Sequence, residues 1–145
     1  LHRSRGLGDV YKRQLGNRAA AVRAYEETLA VIDARLAERP DDFRLHTSRG
    51  LALAGLDRKD EAIRSAEHGA ALYPVSKDAL GGPLPQIDLA IVYARTGEHE
   101  KALKKLEEML SIPSDVSARL LTVDPWWEPL WSEPRFDALV ERFSR

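Results

Sequence analysis

The residues that could do chemistry are few and scattered. His46, His68 and His99 are the candidate imidazole bases or ligands. None stands in an HExxH run or another metal-ligand spacing. The tripeptide EHE at Glu98, His99 and Glu100 carries the donor types a cation would want. Neighbouring helix residues point in different directions, however, so a solvated helix start is expected there. His68, in AEHG, reads as part of an exposed helix face. There is no G-x-S-x-G elbow and no phosphate-binding GK[ST] loop. The ALGGP stretch lacks the basic, helical context of a phosphate cradle and reads as a turn. The chain has no Cys, which rules out disulfides and thiolate metal sites. No catalytic residue, metal site or cofactor is therefore expected. Trp126, Trp127 and Trp131 remain. Aromatic clusters can anchor a partner, but Trp residues rarely crowd together on a free surface, so a covering role is expected for these three.

The elements that hold these residues all carry helical patterning. Val22, Tyr25, Leu29, Ile32 and Leu36 recur at steps of three and four, and Ala21, Ala24, Ala30 and Ala34 form a second, flatter side. Pro40 ends that helix, because the residue before Pro disfavours the α region. Asp41 or Asp42 can cap the next helix, FRLHTSRGLALAGL. After a turn at 57–59 comes DEAIRSAEHGAALYP, and after the turn-rich VSKDALGGPLP come QIDLAIVYART and HEKALKKLEEML. Glu100 and Lys104 stand in the favourable order for an i,i+4 ion pair. No stretch alternates like a strand, so the chain is expected to be all-α.

Residues 4–14, SRGLGDVYKRQ, have no hydrophobic periodicity. They resemble, residue for residue, the translated end of a transposon-based sequencing adaptor, and are expected to be adaptor-derived and unstructured. Setting residues 1–14 aside moves the charge. Of 22 Lys+Arg and 23 Asp+Glu, that stretch holds Arg3, Arg5, Lys12 and Arg13 against Asp9, which leaves a net charge of about −4 rather than −1. A mildly acidic, mixed surface offers no footprint for nucleic acid and no basic face for a membrane. No apolar run approaches the ~18 residues of a bilayer span. A cytoplasmic protein is expected.

Internal spacing is the strongest signal. Gly50 is followed by Ala62 at +12, Gly69 at +19 and Pro74 at +24. Ala90 is followed by Ala102 at +12 and Met109 at +19, with Pro113 one short of +24. With Leu89, Tyr93, Gly97 and Leu103, this pattern resembles the tetratricopeptide repeat, a helix–turn–helix unit of about 34 residues. Small residues are needed where two antiparallel helices approach closely. Gly50 is expected to face Ala62, Gly69 to receive the next unit, and Ala90 and Ala102 to repeat the contact, while Leu53, Ile63, Tyr93, Leu103 and Leu106 fill the space between. There are departures: His46 stands where the family often has Trp, and Met109 where it has a small residue. The units are 40 residues apart in phase, which places about six extra residues in the 76–85 loop. Counted back from Pro40, the first helix has Thr28 and Arg35 at the small-residue positions, so it is a degenerate half-repeat.

The resemblance implies an antiparallel helix-hairpin solenoid over 15–113, with clear units at about 42–74 and 84–113, closed by a hydrophobic cap at 114–145. A solenoid needs such caps to cover its end faces. Ser114 and Ser132 can cap short helices in that tail, and Phe136, Leu139, Val140 and Phe143 form one stripe. The tail also resembles a DP-W-PL-PRF-L pattern that follows such repeats in bacterial multidomain proteins beginning with a serine/threonine kinase, an adenylate cyclase or a winged-helix regulator. It implies a non-catalytic module for protein–protein contact, at the carboxyl end of a longer signalling or regulatory protein. The alternative is the regulatory tail of an enzyme or of a DNA-binding regulator. By family alignment the peptide groove would be lined by Arg44, Thr47, Leu51 and Ala54, then Ile87, Ile91, Ala94 and Arg95. Leu51 and Ile91 replace the Asn residues with which some relatives clamp a carboxylate. A protein or peptide partner, including a helix of the same polypeptide, is expected, with no nucleic acid and no membrane.

Overall fold

The computed structural model of the chain describes residues 17–145, so the adaptor-like stretch and the expectation that it is unstructured lie outside the described residues. All the regular structure described is helical. Helix α1 (Arg18–Glu38) starts where the Asn17 side chain accepts the Ala20 N–H at 3.0 Å, and it stops just before Pro40. Its buried stripe is Ala21, Tyr25, Leu29 and Ile32. Val22 and Leu36, expected on that stripe, are half-buried, and Ala30 and Ala34 face solvent. The flatter alanine side is thus only partly used.

Helix α2 (Phe43–Gly55) is capped by Asp42, which accepts the Arg44 N–H at 3.0 Å. It is followed by α3 (Lys59–Leu72), then α4 (Pro83–Arg95) and α5 (His99–Leu110). The two pairs turn in the same way. Asp57 (φ 58°) and Gly97 (φ 85°) take the left-handed conformation 40 residues apart. Next to them the Arg58 N–H bonds the Leu53 carbonyl at 3.0 Å, and the Glu98 N–H bonds the Tyr93 carbonyl at 2.9 Å. This is the six-to-one closure of a Schellman turn, which satisfies a carbonyl left free by the helix end. An added Cβ at Gly97 would meet nothing within 4 Å. Gly97→Ala should therefore cost only the left-handed backbone penalty, about 1–2 kcal/mol, read as a shift in the urea midpoint.

Within the first pair the helices touch nearly backbone to backbone. A Cβ on Gly50 would lie 2.9 Å from Ala66 Cβ and 3.0 Å from the Ala62 carbonyl oxygen, and one on Gly69 would lie 2.7 Å from Thr47 Cγ2 and 2.9 Å from the Phe43 oxygen. Position 50 faces 62–66 while 43–47 faces 69, so α2 and α3 run antiparallel. The nearest neighbours of Gly69 thus belong to its own hairpin, where the next unit was expected. The seam needs Gly69 because α2 enters there with Phe43 and Thr47 pressed against α3. Ala62, Ala90 and Ala102 are fully buried at 0 % exposure. Ala62→Leu and Ala102→Leu should each destabilise by about 1–3 kcal/mol in chemical denaturation, through overpacking. Ala79→Leu, in the exposed part of the 76–85 loop, should stay within about 0.5 kcal/mol.

Helix α4 is buried on nearly every side, from Pro83 to Ala94, and packs against α2, α3, α5 and the tail. It begins at Pro83 rather than near Gln86, because Pro suits the first helical turn, where N–H groups have no intrahelical partner. The loop before it is organised by Asp78. The carboxylate accepts the Tyr73 hydroxyl at 2.6 Å and the Leu80 and Gly81 N–H groups at 2.9 and 3.0 Å. These bonds, the Tyr73 one foremost, hold its carboxyl below the usual range. A depressed folded pKa gives stability that is present above the unfolded value of about 3.9 and is lost as pH falls through the folded one. Asp78→Asn should therefore weaken the fold at neutral pH and reduce the loss of stability below about pH 4, as read by acid titration of helicity.

In the tail, α6 (Ala118–Leu121) is capped by Ser117, not Ser114, whose hydroxyl instead donates to the Met109 carbonyl at 2.9 Å. A 310 helix (Pro125–Leu130) follows, capped by Asp124, and α7 (Pro134–Phe143) ends the fold. Ser132 does not cap α7. The helix begins with Pro134 after Glu133, with no side-chain cap bond. Phe136 and Leu139 are buried, with Val140 and Phe143 packed beside them. Helix α7 lies against α5 and α6, and the 310 helix against α4.

Candidate interaction site

The groups with chemical potential do not converge. Lys59 bonds Glu98 at 2.9 Å, Glu133 meets His99 Nδ1 at 2.6 Å, and Arg135 pairs with Glu100 in place of Lys104. Glu98 thus ties the start of α5 to α3, while His99 and Glu100 tie it to the start of α7. The Lys59 hydrogen bond, and then its charge, hold the Glu98 carboxyl below its ordinary range. His46 and His68 meet edge to face with ring centroids 4.4 Å apart, and His46 Nε2 lies 2.6 Å from the Pro40 carbonyl oxygen. Among the described residues, no group of three or more His, Asp and Glu is placed to hold a metal ion.

The aligned peptide-groove positions are mostly closed. Thr47, Leu51, Ala54, Ile87, Ile91 and Ala94 are all buried. Thr47 belongs to the α2–α3 seam: its hydroxyl donates to the Arg44 carbonyl at 3.3 Å and its methyl faces Gly69. Arg44 is exposed, over the Phe43 ring at 5.5 Å. Arg95 is half-buried, with its guanidinium 5.6 Å from the centroid of Trp126. It also bears on Tyr25, whose hydroxyl is pushed up by burial against the opposing charge and hydrogen bond of Arg95. The groove positions on α2 and α4 are thus covered by other elements of the same chain, with Arg95 among aromatic rings. The reason is crowding around α4, which packs against α2, α3, α5 and the 310 helix.

The packing residues sit as follows. Tyr93 is buried, and its hydroxyl donates to Glu67 at 2.9 Å; burial first and then that bond push its pKa up. Trp126 and Trp127 are buried. Trp131, expected to be shielded with them, is 40 % exposed. Its indole N–H donates to the Leu121 carbonyl at 2.9 Å, so its polar edge is anchored while the ring lies at the surface. Gln86 is a buried polar group not singled out from the sequence. It donates to the Ala70 carbonyl at 3.0 Å and accepts from Lys105 at 3.2 Å, linking α3, α4 and α5.

A groove of about 420 Å³ runs between α1 and α2, lined by Thr28, Val31, Ile32, Leu45 and Ser48 together with the charged Glu27 and Arg35. Val31 is 53 % exposed there. Thr28, Val31, Ile32 and Arg35 lie 34 residues before Ala62, Ser65, Ala66 and Gly69. On α3 these positions form the side that meets α2; on α1 they border the groove. The degenerate spacing at Thr28 and Arg35 was the sequence signal for this difference.

No protein-family model matches the chain, and no curated protein or solved structure matches it either. No helix among the described residues is long and apolar enough to cross a membrane.

Proposed function

We propose that the chain is a scaffold of tetratricopeptide-like hairpins, a short solenoid closed by its tail, which holds another protein and performs no chemistry of its own. The observation that supports this most directly is the repetition of one turn geometry, with the same closing hydrogen bond, in two hairpins 40 residues apart. Repeated hairpins present stacked helix faces rather than a reaction site. The aligned groove is covered, so the contact surface is the groove between α1 and α2, where apolar side chains remain open beside charged ones. A cytoplasmic setting, attached to a bacterial signalling or regulatory protein, follows from the likeness of the tail pattern.

The test is site-specific photo-crosslinking in cells from position 31, with position 64 as a control on the exposed face of α3. Protein adducts from position 31 and none from 64 are expected. No adduct from position 31, with the chain folded and expressed, would overturn the proposal.

A further inference from the structure

The groove on α1 has a charge pattern that is complementary to itself. Val31 is the exposed apolar residue of its lining, with Glu27 four residues before and Arg35 four residues after. All three lie on one line of the helix surface, because residues four apart are neighbours. Glu27 and Arg35 are separated by two turns, about 12 Å along the axis, too far to pair with each other. Both are exposed, and among the described residues neither takes part in an ion pair. Their side chains flank an apolar strip whose main exposed member is Val31.

We propose that two copies of the chain associate through α1, packed antiparallel about Val31. A two-fold contact requires that if residue i meets residue j, then j also meets i. With Val31 on the axis, each Glu27 meets Arg35 of the other copy, twice over, and Val31 meets Val31. Thr28 falls opposite Ala34, so the two helices can approach closely around the axis. A parallel arrangement would set Glu27 against Glu27 and Arg35 against Arg35, and like charges in contact are penalised. Three of the positions brought together, Thr28, Val31 and Arg35, correspond to Ala62, Ser65 and Gly69, which on α3 already carry a helix. A second copy of α1 thus gives the groove the kind of neighbour that α2 gives to α3.

A dimer of this kind presupposes that the groove is a protein-contact surface, and its test separates the two ideas. The probe is the whole chain, with its mass measured by sedimentation equilibrium at low and high salt. The expected result is a monomer–dimer equilibrium weakened by salt, since the pairs lie at an exposed rim. Glu27→Arg sets Arg against Arg35 and should weaken dimerisation by roughly tenfold or more, as should Arg35→Glu. The double variant Glu27→Arg with Arg35→Glu restores both pairs with reversed sign and should recover most of the wild-type dimer. Val31→Glu should give a monomer. All of these side chains are exposed, and unchanged helicity and melting of each variant exclude unfolding as the cause. A wild-type chain that stays monomeric at its highest soluble concentration would overturn the dimer. So would a double variant no better than either single one. Crosslinks from position 31 to a different protein, with the chain monomeric, would also defeat the dimer yet leave the protein-contact function standing.

Discussion

Trp127→Ala is expected to remove about 3–5 kcal/mol of stability, the range for truncating a large, fully buried aromatic side chain. Trp127 is 2 % exposed and is the largest of the fully buried side chains. It lies in the 310 helix that packs against α4, so its loss opens a cavity between the tail and the most buried helix of the fold. Against a total of about 5–15 kcal/mol for a domain of ordinary stability, a change of that size brings the chain close to unfolding. Trp131→Ala makes the internal comparison. It removes a surface ring and one hydrogen bond to the Leu121 carbonyl, and should cost about 1–2 kcal/mol. Urea denaturation of both variants checks the ordering, and equal losses would show that the tail is not seated on α4 as described. A soluble quencher supplies a second readout: Trp131 should be quenched readily, and Trp126 and Trp127 should be protected.

Gly82→Ala is expected to be nearly as damaging, for a different reason. A Cβ at that position would lie 2.5 Å from the Asp78 carbonyl oxygen, 2.6 Å from Val75 Cα and 2.8 Å from the Pro74 oxygen. All three are backbone atoms, so no side-chain rotation relieves the contact. Gly82 itself has ordinary helical dihedrals, φ −59° and ψ −30°, which Ala adopts without strain. The cost is therefore steric alone, about 1–3 kcal/mol or more, as for added volume in a packed core. It falls on the joint between the hairpins, where the Gly82 N–H donates to the Asp78 carbonyl at 2.8 Å. Gly81→Ala is the control. Its Cβ would come within 2.9 Å of Asp78 Oδ2 and 3.1 Å of Tyr73 Cε1, side-chain atoms that can shift by a few tenths of an ångström, at some cost to the Tyr73–Asp78 hydrogen bond but without moving the backbone. Denaturation midpoints should place Gly82→Ala well below Gly81→Ala, and a reversal of that order would mean that the loop does not close onto α4 in this way.

Much of the fold was legible in the sequence. Helix periodicity located α1 to α5 to within a few residues, and Pro40 and the turn at 57–59 marked real boundaries. The interval of 12 between Gly50 and Ala62 identified a close helix contact, and the phase of 40 between the units reappears in the paired turns at Asp57 and Gly97. These are properties of short spacings along one chain, and helix geometry converts spacing directly into shared faces. The short tail elements were less legible. Ser114, Ser117 and Ser132 are chemically equivalent as caps, and Pro134 starts α7 without needing one.

Which surfaces stay open was decided only by the tertiary structure. Leu51, Ile87 and Ile91 have the same apolar character whether they line a groove or a core. Their burial depends on the neighbours gathered around α4, which no local pattern records. The partner of Gly69, the half-exposed ring of Trp131 and the place of Arg95 between Tyr25 and Trp126 were settled in the same way. Val31 is the converse case. Its spacing on α1 is as helical as that of Leu29, yet Leu29 is buried and Val31 is 53 % exposed. A single helix determines which of its residues share a face, but the burial of that face depends on what other parts of the molecule pack against it.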